Sequence, residues 1–121
     1  MKKIEHESMK IYNSTQNNLI ADDVKVAQSF VTRSVGLLSK KSISEGEALI
    51  IKPCCSIHTF FMKFAIDVLF LNKKNKVVAL YENVSPWRIL PIHLNSKYVI
   101  ELLAGQIAVK NICLSDIIRA E

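Results

Sequence analysis

The sequence predicts a mainly β protein, a compact single-domain β-sandwich or barrel-like fold with one or two short helices. Half of its 121 residues are hydrophobic, which is enough for one core and one domain. Six or seven short apolar or alternating segments are separated by polar turns, as in sandwiches and barrels. The longest apolar run, residues 57–78, is interrupted by a lysine-rich turn and predicts a central hairpin covered on both faces.

The N-terminal third predicts two strands and a helix. Residues 10–13 and 19–27 alternate apolar and polar side chains on either side of a polar turn. Asp22 and Asp23 are poor strand residues and indicate a turn within the second segment. From Ser29 the apolar spacing becomes helical, with Ser29 as the N-cap, so we expect a helix over residues 30–37.

The remaining elements follow from apolar runs and their breakers. A strand ends before Pro53, which cannot donate to a β-ladder. Residues 57–64 and 66–72 are expected to form one bent strand, and residues 77–81 to return antiparallel to it. The later segments are an irregular loop (83–96), a strand (98–102), one or two helical turns (105–111) and a closing strand (117–120).

These elements give one domain, residues 21–121, preceded by an N-terminal extension, residues 1–20, that can supply a first strand. The chain has three cysteines, two of them adjacent, which suits a reducing compartment better than a disulfide-rich secreted domain. The early lysines are followed by Glu5, His6 and Glu7 where a signal peptide would be apolar. No apolar stretch reaches the length of a membrane span, so we expect a cytoplasmic protein.

The charge distribution argues against nucleic acid as a partner. The formal net charge is +5, but both halves of the chain share the excess and no basic stripe is present. Several lysines occupy predicted turns, where lysine is an ordinary solvating residue. We therefore expect no nucleic-acid binding, and the sequence leaves the oligomeric state open.

Four motifs in order carry a family resemblance. They are TRSVGLL (32–38), SIHTFFMKFAIDVLFLN (56–72), PWR (86–88) and VIELLAG (99–105). Over residues 21–120 the chain resembles the uncharacterised family catalogued as domain of unknown function 192. The resemblance implies a compact, sandwich-like, mostly β domain with no known activity. Many relatives in that family carry an exported N-terminus, which this chain is expected to lack.

The chain departs from the family pattern at its turns. Ala65 replaces a favoured proline, and Asn72 and Asn75 replace the favoured aspartate and glycine of the hairpin turn. Ser115 stands where glycine is usual. The departures concern turn geometry, and the resemblance still implies the same fold.

Two carboxylates and two arginines lie in four apolar segments, which is more charge than a core ordinarily tolerates. Asp67 lies in the middle of the longest apolar run and needs a cation or several N–H donors if it is buried. We predict a fold-holding pair with Arg33 or Arg88, or a hydrogen-bonded turn; the alternative is a carboxylate facing a ligand. Glu101 is a second such carboxylate and a potential partner for the same arginines. Arg33 could also be a surface residue whose stem covers the core.

The other candidates lie on the first part of the apolar run and on the following loop. His58 shares a strand face with Met62 and is either a core histidine or an acid–base group at the bottom of a pocket. Met62 is either a core filler or a ligand contact. Trp87 and Arg88 are favoured contact residues, although Trp87 could instead plug one end of the sandwich. We expect any ligand site where residues 58–62 meet the loop carrying Trp87 and Arg88.

No cofactor or metal is predicted. Cys54, Cys55, His58 and His93 lack the paired spacing of zinc sites, and no phosphate-binding loop or nucleophile motif occurs. The favoured function is a non-catalytic binding or accessory module for a small molecule, a glycan or a peptide. The alternative is a small hydrolase or lyase-like enzyme using His58 with Asp67 or Glu101. A purely structural interaction protein is the third hypothesis.

Overall fold

The computed structural model describes residues 5–7, 9–28 and 42–121, which form nine strands and one short helix. The strands are β1 (Glu5–Glu7), β2 (Ile11–Asn13), β3 (Asn18–Ala21), β4 (Asp23–Ala27), β5 (Glu47–Ile51), β6 (Ile66–Leu71), β7 (Val77–Val84), β8 (Tyr98–Leu103) and β9 (Ile118–Ala120). The helix, α1, is Gln106–Val109. The helix predicted over residues 30–37 lies outside the described residues.

The strands form two sheets. The larger has the order β1-β4-β5-β8-β6-β7 and the smaller the order β3-β2-β9. All neighbours are antiparallel except β4 and β5, which run parallel. The mainly β, sandwich-like prediction is confirmed. In the described part of the chain the two sheets do not join into a barrel, because the larger ends at β1 and β7 and the smaller at β3 and β9.

The larger sheet is buried on both faces. On one face, which we call the sandwich face, side chains such as Leu69 and Ile100 pack against Ile11 and Ile118 of the smaller sheet. On the other, which we call the loop face, Phe70 belongs to a second cluster closed by segments outside the strands. Every residue of β6 is buried. The uninterrupted apolar run predicted this double burial, because alternate side chains of a strand point to opposite faces.

Only the second part of the predicted bent strand forms a strand. Residues 66–71 are β6, but residues 57–64 form a loop with a turn and a single bridge between His58 and Ile89. Phe61 has a φ of 67°, which ends any extended conformation there. The apolar side chains of this segment cover the sheet instead of joining it. The hairpin of β6 and β7 also lies at one side of the sheet, whose middle is β5 and β8.

The N-terminal region is part of the sandwich. Part of the segment expected as an extension forms β2 and most of β3, and β2 pairs with β9 at the far end of the chain. The turn predicted at Asp22 separates β3 from β4. Asn75 and Ser115, which replace family glycines, have φ values of 64° and 73°. These turns therefore keep a glycine-like backbone, which asparagine tolerates well.

Candidate functional site

Two loops cover the loop face of the larger sheet. The first loop is residues 52–65, between β5 and β6, and the second loop is residues 85–97, between β7 and β8. They run antiparallel, and backbone hydrogen bonds join residues 54–59 of the first loop to residues 87–97 of the second; we call these bonds the seam. Its bonds are Cys54 N–H to Lys97 O (3.0 Å), His93 N–H to Cys55 O (2.9 Å), Leu90 N–H to Ile57 O (3.0 Å), Thr59 N–H to Arg88 O (2.9 Å) and Trp87 N–H to Thr59 O (3.0 Å).

Thr59 is the polar centre of the seam. It is fully buried, and its hydroxyl donates to the carbonyl of Ser85 (2.7 Å) and accepts from the N–H of Arg88 (2.9 Å). A buried hydroxyl needs such partners to offset its desolvation. No sequence pattern predicted this role, whose only signal was a threonine inside an apolar run. Thr59 thus fixes the position of Trp87 and Arg88 relative to the first loop.

Phe61 and Trp87 form an exposed aromatic pair across the seam. Their ring centroids lie 4.6 Å apart, and 64% of Phe61 and 59% of Trp87 are exposed. Both residues have a φ of 67°. For bulky residues this left-handed conformation costs about 1–3 kcal/mol and concentrates at functional sites. The backbone of both loops therefore holds a large aromatic side chain in water at an energetic cost.

The loops also expose aliphatic side chains. Among the described residues eight large hydrophobic side chains are exposed, and five of them lie on these loops. We call these five the apolar patch: Phe61, Trp87, Ile89, Ile92 and Leu94. Single exposed apolar residues are normal, but a cluster of this kind marks an interaction surface.

Two adjoining clefts follow the seam. The larger, of about 510 Å³, lies where the first loop begins and the second ends, and Leu94 and Lys97 line it. The smaller, of about 240 Å³, is lined by His58, Phe60 and Ile92 among others. Ser56 and Ile57 line both clefts, so the two adjoin at these residues. The larger cleft alone has the volume of a small-molecule site.

His58 is half-buried beside the smaller cleft. Its Nδ1 accepts a hydrogen bond from the N–H of Phe60 (3.2 Å), and its ring lies 4.8 Å from the Phe60 ring. In the neutral ring the proton therefore resides on Nε2. Met62 is buried in the core below the loops, and its N–H bonds the carbonyl of Thr59 (3.2 Å). Its burial therefore supports the role of Met62 as a core residue over a role as a ligand contact.

The charges on the two loops all have one sign. Their sequence contains four cations, Lys52, Lys63, Arg88 and Lys97, and no aspartate or glutamate. All four cations are exposed. The nearest acidic residue in sequence to the second loop is Glu82, on β7. The loops therefore combine an apolar surface with positive charge.

Asp67 is held by backbone N–H groups and not by an arginine. Its two carboxylate oxygens accept from the N–H of Asn83 and the N–H of Ile107, each at 2.8 Å. The carboxylate is fully buried and ties β6 to the end of β7 and to the first turn of α1. Within the described ranges no arginine contacts it, so the predicted pair with Arg88 is wrong. The hydrogen-bonded alternative is what the structure contains, because two aligned N–H donors can satisfy a buried carboxylate.

Glu101 lies on the opposite face of the sheet from Asp67. It is fully buried in the middle of β8, where its neighbours in register are Leu49 and Val68. Both neighbours belong to the loop-face cluster, which also contains Met62. Glu101 has an interaction partner, as a buried carboxylate requires. Arg33, one of its two predicted partners with Arg88, lies outside the described residues.

His93 makes contacts that no sequence pattern predicted. Its Nε2 lies 2.7 Å from the hydroxyl of Tyr81, and its ring lies 4.6 Å from the ring of Phe70. These contacts fasten the second loop to β7 and β6. A histidine between isoleucine and leucine on a loop gave no signal of this role.

Comparison with known proteins places the chain in a family. The profile of DUF192, described as an uncharacterized ACR, matches residues 11–120. The chain belongs to the DUF192 family. The match includes β2 and β3, in agreement with their place in the sandwich.

Relatives of this DUF192 chain include two archaeal proteins named only as UPF0127 proteins. The one from Pyrococcus horikoshii is 35% identical over 96 residues, covering 75% of this chain and 81% of the relative. The one from Thermococcus sibiricus is 32% identical over 110 residues, covering 88% of this chain and 71% of the relative. Neither name assigns an activity.

Two solved structures share the fold of this DUF192 chain. A protein of unknown function from Novosphingobium aromaticivorans has a TM-score of 0.78 over 96% of this chain and 84% of its own. A Sinorhizobium meliloti protein, described as a proposed transcription regulator, has a TM-score of 0.79 over 99% of this chain and 97% of its own. Both are 16% identical to this chain, so the likeness concerns the fold alone.

The DUF192 fold brings together some of the predicted site residues. His58, Trp87 and Arg88 meet at the seam, as the sequence analysis expected of a ligand site. Asp67 lies on the other side of the sheet, so it cannot serve His58 as a catalytic partner. In the described part of the chain no three His, Cys, Asp or Glu side chains are placed to hold a metal ion.

Proposed function

We propose that this DUF192 protein is a non-catalytic binding module whose site is the surface of the two loops. The ligand class is an amphipathic anion, with an apolar body and one acidic group. The observation that carries the proposal is the apolar patch on two loops that contain four exposed cations and no carboxylate. Such a surface complements apolar and negatively charged groups together.

The apolar body is suited to the clefts along the seam. The side chains of Ile57, Leu90 and Ile92 line the smaller cleft, and Leu94 lines the larger. Aliphatic walls bury hydrocarbon but offer few hydrogen bonds to the hydroxyl groups of a sugar. A small molecule or a peptide therefore fits this surface better than a glycan.

The acidic group is suited to the rim. Lys97 lines the larger cleft and is exposed, and Cys54 donates its backbone N–H to the Lys97 carbonyl, which fixes the position of that residue's backbone. Since no carboxylate lies on either loop, an incoming anion meets no like charge there. Electrostatic attraction of this kind favours anions over cations of equal size.

The placement of the described candidate groups supports a binding role over catalysis. The Nδ1 atom of His58 is occupied by the N–H of Phe60, and Asp67 lies across the sheet. Of the two partners in the enzyme hypothesis, only Glu101 lies on the loop face. A cytoplasmic location remains part of the proposal, because no disulfide joins the three cysteines, all of which are described.

The test uses Trp87, which is the only tryptophan of the chain, as a fluorescent reporter. Decanoate below its micelle concentration should bind saturably and shift the Trp87 emission to shorter wavelength. Decyltrimethylammonium, with the same chain and opposite charge, should bind at least about tenfold more weakly, equivalent to about 1.4 kcal/mol. Lys97→Gln should reduce that preference, whereas Lys74→Gln at the β6–β7 turn should not.

Equal binding of both amphiphiles, or of neither, would contradict the proposal. Hydrolysis of ester analogues that is lost in Glu101→Gln, with folding intact by circular dichroism, would favour the enzyme hypothesis instead.

A further inference from the structure

We propose that the apolar patch docks this protein onto the surface of an anionic lipid bilayer. The inference rests on the proposed function and names the source of its amphipathic anion as a membrane lipid. No helix in the described ranges is long and apolar enough to cross a membrane, and the proposed attachment is peripheral. It depends on the contiguity, protrusion and charge of the patch.

The patch is contiguous along the seam. Phe61 contacts Trp87, and Trp87 lies 5.8 Å from Phe60 between ring centroids. Phe60 lines the smaller cleft together with Ile89 and Ile92. That cleft adjoins the larger one, which Leu94 lines. The five side chains therefore form one surface across both loops.

The patch protrudes, unlike the wall of a deep pocket. Its least exposed member, Trp87, is 59% exposed and its most exposed, Leu94, is 86% exposed. A pocket wall would be largely shielded by its neighbours, whereas these side chains reach into solvent. Side chains that project from loops in this way can enter the headgroup region of a bilayer, where tryptophan is especially favoured.

Cations flank the patch at both ends of the seam. Lys52 follows β5 and Lys97 precedes β8, and the pairing of Ile51 with Val99 places both lysines at one end of the sheet. Lys63 precedes β6 and Arg88 follows β7, at the opposite end of the sheet, where Asp23 and Glu47 also pair on β4 and β5. The four cations therefore attract the surface of the loops, and not one end of the sheet, to a negative surface.

The backbone of the loops argues against a peptide as the occupant. Peptides that bind in extended form use unpaired N–H and C=O groups of an exposed strand. Here the N–H groups of Cys54, Thr59, Trp87, Leu90 and His93 are already donated within the seam. A bilayer requires no such groups, because it takes up apolar side chains and attracts nearby lysines and arginines.

The experiment is a flotation assay with the full chain and phosphatidylcholine vesicles, with and without phosphatidylglycerol. We expect the protein to float with the phosphatidylglycerol vesicles at low salt and to be released by high salt, since screening weakens the attraction. Brominated lipids should quench Trp87 fluorescence, which requires contact between the indole ring and the acyl region. A purely structural Trp87 would not be quenched.

A matched pair of double variants separates the patch from general surface hydrophobicity. Ile92→Ser with Leu94→Ser should reduce vesicle binding by at least about tenfold, because it removes two inserting side chains. Val109→Ser with Leu114→Ser removes two similarly exposed apolar residues away from the loops and should leave binding within about twofold of the parent chain. Circular dichroism confirms that both variants fold.

The result that would overturn the proposal is equal flotation with and without phosphatidylglycerol, or no flotation at all. If decanoate binds but vesicles do not, the membrane proposal fails and the binding module stands. If an acidic, apolar peptide binds in place of vesicles, the membrane proposal also fails and the face belongs to a protein partner. If no amphiphile, peptide or vesicle binds, both proposals fail.

Discussion

The two faces of the larger sheet are closed in different ways. On the sandwich face a second sheet supplies the cover, and Ile11 and Ile118 of that sheet are almost fully buried. On the loop face two irregular loops supply it, and the same loops leave Trp87 and Leu94 in solvent. Both faces bury the sheet itself, as Leu69 and Phe70 of β6 show.

The polar groups of the two faces show the same division. On the sandwich face Asp67 accepts from two backbone N–H groups and joins three elements. On the loop face the hydroxyl of Thr59 joins only the two loops to each other. The contacts of the sandwich face therefore mainly stabilise the fold, while the loops of the loop face leave several side chains exposed to solvent. Loops on a rigid sheet are the usual place for binding residues.

The largest effect expected from this comparison is on a leucine of the sandwich face. Leu69→Ala should lower the free energy of unfolding by about 2–5 kcal/mol, because it leaves a cavity in a closed core. Leu94→Ala on the loop face should change it by no more than about 0.5 kcal/mol. Denaturant unfolding measures both. Equal losses would mean that Leu94 is also a core residue and that the two faces do not differ.

Asp67→Asn is expected to have the next largest effect. The amide offers one acceptor oxygen to two N–H donors, so one donor must face an NH₂ group, at a cost of roughly 2–4 kcal/mol. Glu82→Gln, at an exposed carboxylate on β7, is the control and should cost no more than about 0.5 kcal/mol. Arg88→Ala should not reproduce the loss. If Arg88→Ala lost as much stability as Asp67→Asn, an ion pair between Arg88 and Asp67 would be indicated, which the structure argues against.

The smallest effect concerns Tyr98, at the edge of the sandwich-face core. Burial raises the pKa of its phenol to about 12, from an ordinary value of 10.0. The folded state thus holds this proton more tightly than the unfolded state. Its contribution to stability is complete below pH 10.0 and is lost as the pH rises through about 12.

Absorbance titration of tyrosinate can check this shift. Tyr98→Phe should remove the group that ionises near pH 12 and flatten the loss of stability over that pH range. Tyr12→Phe should leave the late-titrating group in place. Loss of the late group in the Tyr12 variant, or its persistence in the Tyr98 variant, would show that the assignment is wrong.

Much of the fold could be predicted from local patterns. The apolar run with its lysine-rich turn predicted β6 and β7, and the two aspartates predicted the break between β3 and β4. The same patterns failed at residues 57–64, where an apolar segment covers a sheet without joining it. An apolar composition reports burial but not strand pairing, so such a segment cannot be distinguished from a strand by pattern alone.

The sequence placed any ligand site where residues 58–62 meet the loop with Trp87 and Arg88. These two segments are in contact, whereas ligand binding there stays a prediction. An apolar run and a long loop with exposed-type residues were the signals in the sequence. The sequence did not indicate that Thr59 holds the two segments together. A hydroxyl that bonds a carbonyl 26 residues away leaves no local pattern.

By itself, then, the sequence determined the class of fold, most strand positions and the resemblance to the DUF192 family, because periodicity and turn residues act over a few neighbouring positions. Only the tertiary structure decided which groups meet. The partners of Asp67 lie 16 and 40 residues away in the chain, and both are backbone N–H groups, which every residue except proline carries. Side-chain identity could not single them out, whereas the approach of β7 and α1 to β6 did. The contact between Phe61 and Trp87 has the same origin, because the seam brings together two loops that are distant in sequence.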